Sequence, residues 1–119
     1  MGDRANIKIV EEDGGVIYFY THWSGSRLPI TLQEALKRGR DRWTDGQYLS
    51  RIIFSEMIKD EVLDITGYGI STVVGDGDDR IIIVNLKNQS ILLNDNNFAF
   101  DEFTKLTEEE LVKIYEKGR

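Results

Sequence analysis

The chain has 119 residues, no cysteine, one proline and 11 glycines, and 15 Lys and Arg stand against 21 Asp and Glu for a net charge of −6. That length predicts a single domain over residues 1–119, because two separate cores would each be too small to hold without staples. The lack of cysteine excludes a disulfide scaffold, a thiol nucleophile and a Cys-ligated metal. With 40% apolar and 30% charged residues the composition is that of a globular chain, neither disordered nor membrane-embedded.

The longest apolar run, Val16 to Tyr20, falls far short of the about 20 residues that cross a bilayer. No basic-then-apolar leader is visible. Asn6 stands where a myristoylation motif at Met1-Gly2 needs Ser or Thr. A soluble, cytoplasmic protein without membrane contact is expected.

In chain order, Ile7, Ile9 and the run Val16 to Thr21, joined by Glu11-Glu12-Asp13-Gly14-Gly15, predict an opening β-hairpin. Trp23 to Pro29 has no periodicity and reads as a loop. Thr31 with Glu34 has the spacing of a capping box, so a short helix is expected from there to Gly39. Arg40 to Trp43 is a connector. Leu49, Ile52, Ile53 and Met57, widened by Phe54 and Ile58, mark a second helix from about Asp45 to Lys59. A third strand is expected at Ile70 to Val74. Gly75 to Asp79 reads as a hairpin turn, and Arg80 to Leu86 as a central fourth strand covered on both faces. Ser90 to Leu93 is a fifth strand and Asn94 to Asn97 a turn. Phe98, Phe100 and Phe103 cover the edge of the core. Thr107 with Glu110 opens a last helix. The order ββ-αα-βββ-α and the short links predict an α+β fold, an antiparallel sheet of about five strands packed with three helices. The expected core is Ile9, Ile17, Phe19, Leu36, Leu49, Ile52, Ile53, Met57, Val73, Ile81, Ile83 and Leu92.

The charge is unevenly spread. Residues 27–51 hold Arg27, Lys37, Arg38, Arg40, Arg42 and Arg51 against three acids, a net +3, which leaves −9 for the remainder. Five of those six cations are arginine, whose planar fork suits phosphates and carboxylates. The alternative is that they pair with Glu34, Asp41 and Asp45 on helix surfaces. An acidic body disfavours long nucleic acid but leaves room for a compact anion held locally. Trp23 and Trp43 can stack on a base beside these arginines, or pack as core.

His22 is the only histidine, at the end of the second strand, with Ser24 and Ser26 close in sequence. It suits a general base, or a structural histidine bonded to backbone. A lone histidine without cysteine makes no zinc site. The Gly75 to Asp79 segment lacks the spacing and closing glutamate of a calcium loop. Gly67-Tyr68-Gly69 has no third glycine or following helix for a dinucleotide fingerprint. Neither a cofactor nor a metal is expected.

The segments Met1-Gly2-Asp3-Arg4-Ala5-Asn6-Ile7-Lys8, Tyr20-Thr21-His22-Trp23-Ser24-Gly25, Arg38-Gly39-Arg40 with Trp43, and Gly67-Tyr68-Gly69-Ile70-Ser71-Thr72 resemble a family of small uncharacterised proteins of bacteria and their phages. The resemblance covers roughly residues 1–75 and implies no catalytic role. It implies that these segments share one surface, with Arg4, Thr21, His22 and Trp23 side by side where the hairpin opens. The reading preferred on these grounds is a binding protein, and not an enzyme, for a small anionic, nucleotide-like ligand. Arg4 and some of Arg38, Arg40, Arg42 and Arg51 would hold the anion, and Trp23, Trp43 or Tyr68 would stack on the base. In a phage setting such a protein would sequester a host nucleotide signal. A homo-oligomer, most simply a dimer, is expected. The alternatives are a small hydrolase or phosphodiesterase using His22, and a protein-interaction domain using an acidic C-terminal part with exposed Phe98, Phe100 and Phe103.

Overall fold

A computed structural model describes residues 2–76 and 79–117. Among them are strands β1 (Ala5–Val10), β2 (Val16–Thr21), β3 (Tyr68–Ser71), β4 (Ile81–Asn85), β5 (Ser90–Leu93) and β6 (Asn96–Ala99), and helices α1 (Leu28–Arg38), α2 (Gly46–Ile58), α3 (Phe100–Thr104) and α4 (Glu108–Lys117). The fold is α+β, but the sheet is mixed and six-stranded, in the order β3-β2-β1-β4-β5-β6, and there are four helices among the described residues.

This corrects the expected five-stranded antiparallel sheet with three helices. β1 pairs in parallel with β4, Asn6 opposite Ile81 and Ile9 opposite Val84. The segment between β3 and β4, expected as a hairpin turn, is a crossover that carries the chain past β2 and β1. Its Gly77 and Asp78 lie outside the described residues. The sixth strand forms because Asn94, at φ 55°, makes the tight reversal between Leu93 and Asn96. A left-handed Asn between alternating residues is a hairpin signal. It turns Phe98 inward, against Phe103.

The helices cover one face of the sheet. Ile7 and Ile9 of β1, Phe19 of β2, Ile82 and Val84 of β4, and Ile91 and Leu93 of β5 all point to that face and are buried. Against them pack Leu32, Ala35 and Leu36 of α1, Leu49 and Ile53 of α2, Phe100 and Phe103 of α3, and Leu111 of α4. Ile81, Ile83 and Leu92 are therefore not core; they sit half-buried on the opposite face, and Ile17 is also half-buried. The unbroken run Ile81 to Val84 does not alternate, so its register carries no sign of which face is inward. β4 is covered by helices on one face only. Val73 is exposed beyond the end of β3. Phe100 and Phe103 are fully buried, which removes them from any interaction surface.

The helix ends follow local chemistry. α1 starts three residues before the expected Thr31, because Pro29, which has no N–H to lose, fits the first turn. Asp45 caps α2 by accepting from the Tyr48 amide at 3.4 Å. At α4 the expected box is complete: the Glu110 amide donates to Thr107 Oγ1 at 3.1 Å and the Thr107 amide to Glu110 Oε1 at 2.9 Å. No helix among the described residues is long and apolar enough to cross a membrane.

Candidate functional site

The β1–β2 hairpin opens at Arg4 and His22, and the residues there face both sides of the sheet. On the face without helices, the Arg4 Nε–H donates to His22 Nδ1 at 3.3 Å. Because an arginine nitrogen only donates, Nδ1 must accept, and the ring proton belongs on Nε2. Tyr20 Oη also reaches Nδ1, at 3.1 Å, and so donates to it. The backbone of Gly2 lies over the other ring nitrogen, so closely that a Cβ there would stand 2.7 Å from Nε2. The imidazole is thus held through Nδ1 and orients Arg4, whose terminal amino groups stay free of protein partners among the described residues. Trp23 packs edge-on to His22 with centroids 4.4 Å apart, yet is 53% exposed.

The crossover runs beside this cluster as a strap over the same face. Asn6, fully buried, holds it: Nδ2 donates to Gly75 O at 3.3 Å and to Asp76 O at 3.2 Å, and Oδ1 accepts from the Gly75 amide at 3.2 Å. A recess of about 290 Å³ lies between strap and sheet, lined chiefly by Tyr18, Tyr20, Val73 and Val74. Tyr20 belongs to both features, its ring walling the recess and its hydroxyl bonded to His22.

On the helix side of the same end lies a group that sequence reading did not single out. Arg80 is buried, and donates to Asp3 Oδ1 at 2.5 Å and to Glu116 Oε1 at 3.3 Å. Asp3 also accepts from the Ser26 amide and hydroxyl. Partial burial works to raise the Asp3 carboxyl, but the Ser26 and Arg80 hydrogen bonds outweigh it and hold it below the usual carboxylate range. Arg80 ties the segment before β1 to α4. The only local hint was a cation directly before an apolar strand.

The ten candidate ligand residues divide. Arg4, His22 and Trp23 meet at the open end. Thr21, although adjacent, is buried, and its Oγ1 is engaged with the Ser24 hydroxyl at 2.9 Å and the Ser24 amide at 3.2 Å. Tyr68 packs half-buried against the core on the helix side. The arginine-rich connector lies elsewhere, beside the β1–β2 turn, where Glu12, Asp13, Asp41 and Arg42 line one depression. Six residues of β1 separate the two ends, about 20 Å at strand rise.

The connector residues have structural partners. Arg38 reaches Glu56, Ser55 Oγ and Ile52 O, joining α1 to α2. Arg40 bonds Asp101 and Thr104 and lies 4.5 Å over the Trp43 ring. Trp43 donates from Nε1 to Leu36 O at 3.0 Å and packs on Phe100. Arg42 covers Tyr48, and Arg51 is exposed on α2. Neither serine is placed as a nucleophile for His22, since Ser24 bonds Thr21 and Ser26 bonds Asp3. No group of His, Asp and Glu suited to a metal occurs among the described residues.

Comparison with family models, with curated proteins and with solved structures finds no match.

Proposed function

We propose that the open end of the hairpin is the binding site of a small anionic ligand with an aromatic ring, of the nucleotide class, and that the protein binds it without turning it over. The observation that carries this is the double role of Tyr20, whose ring walls an apolar recess and whose hydroxyl bonds the His22 that holds Arg4. Such sites combine a mostly apolar concavity with a few placed polar groups. The ring enters the recess or stacks on Trp23, and the anion meets the outward amino groups of Arg4, a fork suited to phosphate. His22 holds that fork in place. The arginines of the connector do not take part, because Glu56 and Asp101 engage Arg38 and Arg40, and Arg42 lies beside the β1–β2 turn. The same reading places the protein in the cytoplasm, away from membranes and long nucleic acid. The family resemblance extends it to a phage-type protein that sequesters a host nucleotide signal.

Calorimetric titration with mono-, di- and cyclic nucleotides tests the reading. One class is expected to bind, with Arg4→Ala lowering its affinity about 10- to 100-fold, the worth of a charge-assisted hydrogen bond, and the ligand recovered unchanged. Absence of heat from every nucleotide with an intact fold would sink it, as would full affinity in Arg4→Ala.

A further inference from the structure

β3 is the outermost strand on one side of the sheet. His22 N donates to Gly67 O at 2.8 Å, so Gly67 and His22 are a hydrogen-bonded pair. Antiparallel ladders alternate such pairs with open ones. Gly69 and Ser71 therefore turn their backbone groups to β2, whereas Tyr68 and Ile70 turn theirs to the free edge. Folded monomers usually guard such an edge with a charge, a proline or a bulge. This one has no such guard: Ile65 to Gly75 contains no charged residue and no proline. Around it the large apolar side chains are unusually open, with Leu63 92%, Ile65 98%, Ile70 54% and Val73 68% exposed.

We infer that this edge pairs with a second copy of the chain, β3 against β3, antiparallel about a two-fold axis through Gly69. The charge distribution favours a copy as occupant. Two molecules of net charge −6 repel over most of their surfaces, while the uncharged edge brings no like charges together. An antiparallel strand is also complementary to itself about a two-fold, as a closed dimer requires. In this register Tyr68 lies opposite Ile70 of the partner subunit, and Ile70 opposite Tyr68 of the partner subunit. Both outward-facing pairs of backbone groups are satisfied. The two aromatic–β-branched contacts fall on the helix side of the joined sheet, a favourable cross-strand combination. Gly69 meets its own copy as an open pair on the other side. This interface borders the proposed ligand recess, whose lining includes residues of β3, but it rests on the strand edge alone.

Sedimentation velocity of the full chain without added nucleotide tests it. The wild type is expected at twice the monomer mass, and Ile70→Lys, which puts a charge on an already exposed position, at the monomer mass. Gly69→Cys gives a second measurement. A Cβ at Gly69 has nothing within 4 Å, and the chain has no other cysteine. Open antiparallel pairs bring Cα atoms about 4.5 Å apart, inside the disulfide range of about 4.4–6.8 Å. Mild oxidation should convert Gly69→Cys to a covalent dimer and leave Lys113→Cys, on exposed α4, monomeric. A wild type that stays monomeric, or a dimer that survives Ile70→Lys while Gly69→Cys crosslinks no better than Lys113→Cys, overturns the proposal. Should Ile70→Lys fail to fold, the cysteine pair decides alone.

Discussion

Asn6→Ala tests the strap. The wild-type side chain makes three hydrogen bonds to the crossover, at 3.2–3.3 Å, from a position with no solvent exposure. Such bonds contribute a net of about 0.5–1.5 kcal/mol each. These three are on the long side, and water can reach the half-buried Gly75 once the strap lifts. The expected loss is therefore about 1.5–3 kcal/mol, or roughly 5–15 °C in Tm for a domain of this size. Urea denaturation measures the free energy, and amide exchange at Gly75 reports the strap itself, with protection expected to fall in the variant before global unfolding. Asn6→Asp should be worse at neutral pH, since a carboxylate would face the carbonyls of Gly75 and Asp76. Acidification should restore part of the loss by protonating that carboxyl, whose folded pKa must be raised. A loss under about 0.5 kcal/mol with Gly75 still protected, well below the three-bond sum, would refute the strap's dependence on Asn6.

Asp3 titrates below the usual carboxylate range in the folded state. Its stabilisation is present above about pH 4, the unfolded value, and is lost as the pH falls through the lower folded value. Asp3→Asn should cost about 1–2 kcal/mol at pH 7, discounted for partial exposure, and its stability should converge with the wild type near the acid limit; a constant difference at all pH values would contradict this. Gly67 has φ 98° and a Cβ there would run into the Trp23 indole. Gly67→Ala should lose about 1–3 kcal/mol and change tryptophan emission, and unchanged emission would show that Trp23 is not seated there.

What was legible in the sequence was local. The α2 stripe from Leu49 to Met57 and the Thr107–Glu110 box depend on neighbours three or four residues apart, and both lie where the pattern put them. The β1–β2 hairpin was equally readable. Three things were not. The pairing of β1 with β4 joins residues 6 and 81, and no short-range pattern distinguishes a crossover from a hairpin turn at Gly75. The ligand reading grouped Arg38, Arg40 and Arg42 with Arg4 by type, but α1 carries the chain away from the open end before those arginines occur. Their partners, Glu56 and Asp101, are distant in sequence. Tyr20 escaped notice as a site residue because its role depends on the strap.

The parallel β1–β4 contact also has a consequence for biosynthesis. β1 acquires β2 almost at once, but its other neighbour begins at Ile81, 60 residues beyond Thr21. At a ribosomal rate of about 5–20 residues per second, that flank of β1 waits roughly 3–12 s for its partner. During the wait it is a free strand edge rich in isoleucine and valine, the kind of segment that joins foreign strands. Lys8 is the one charge in β1, set between Ile7 and Ile9. A lysine there deters edge-to-edge pairing, so it guards the nascent hairpin until β4 arrives, and Lys8→Val should raise aggregation during synthesis more than it alters the finished fold.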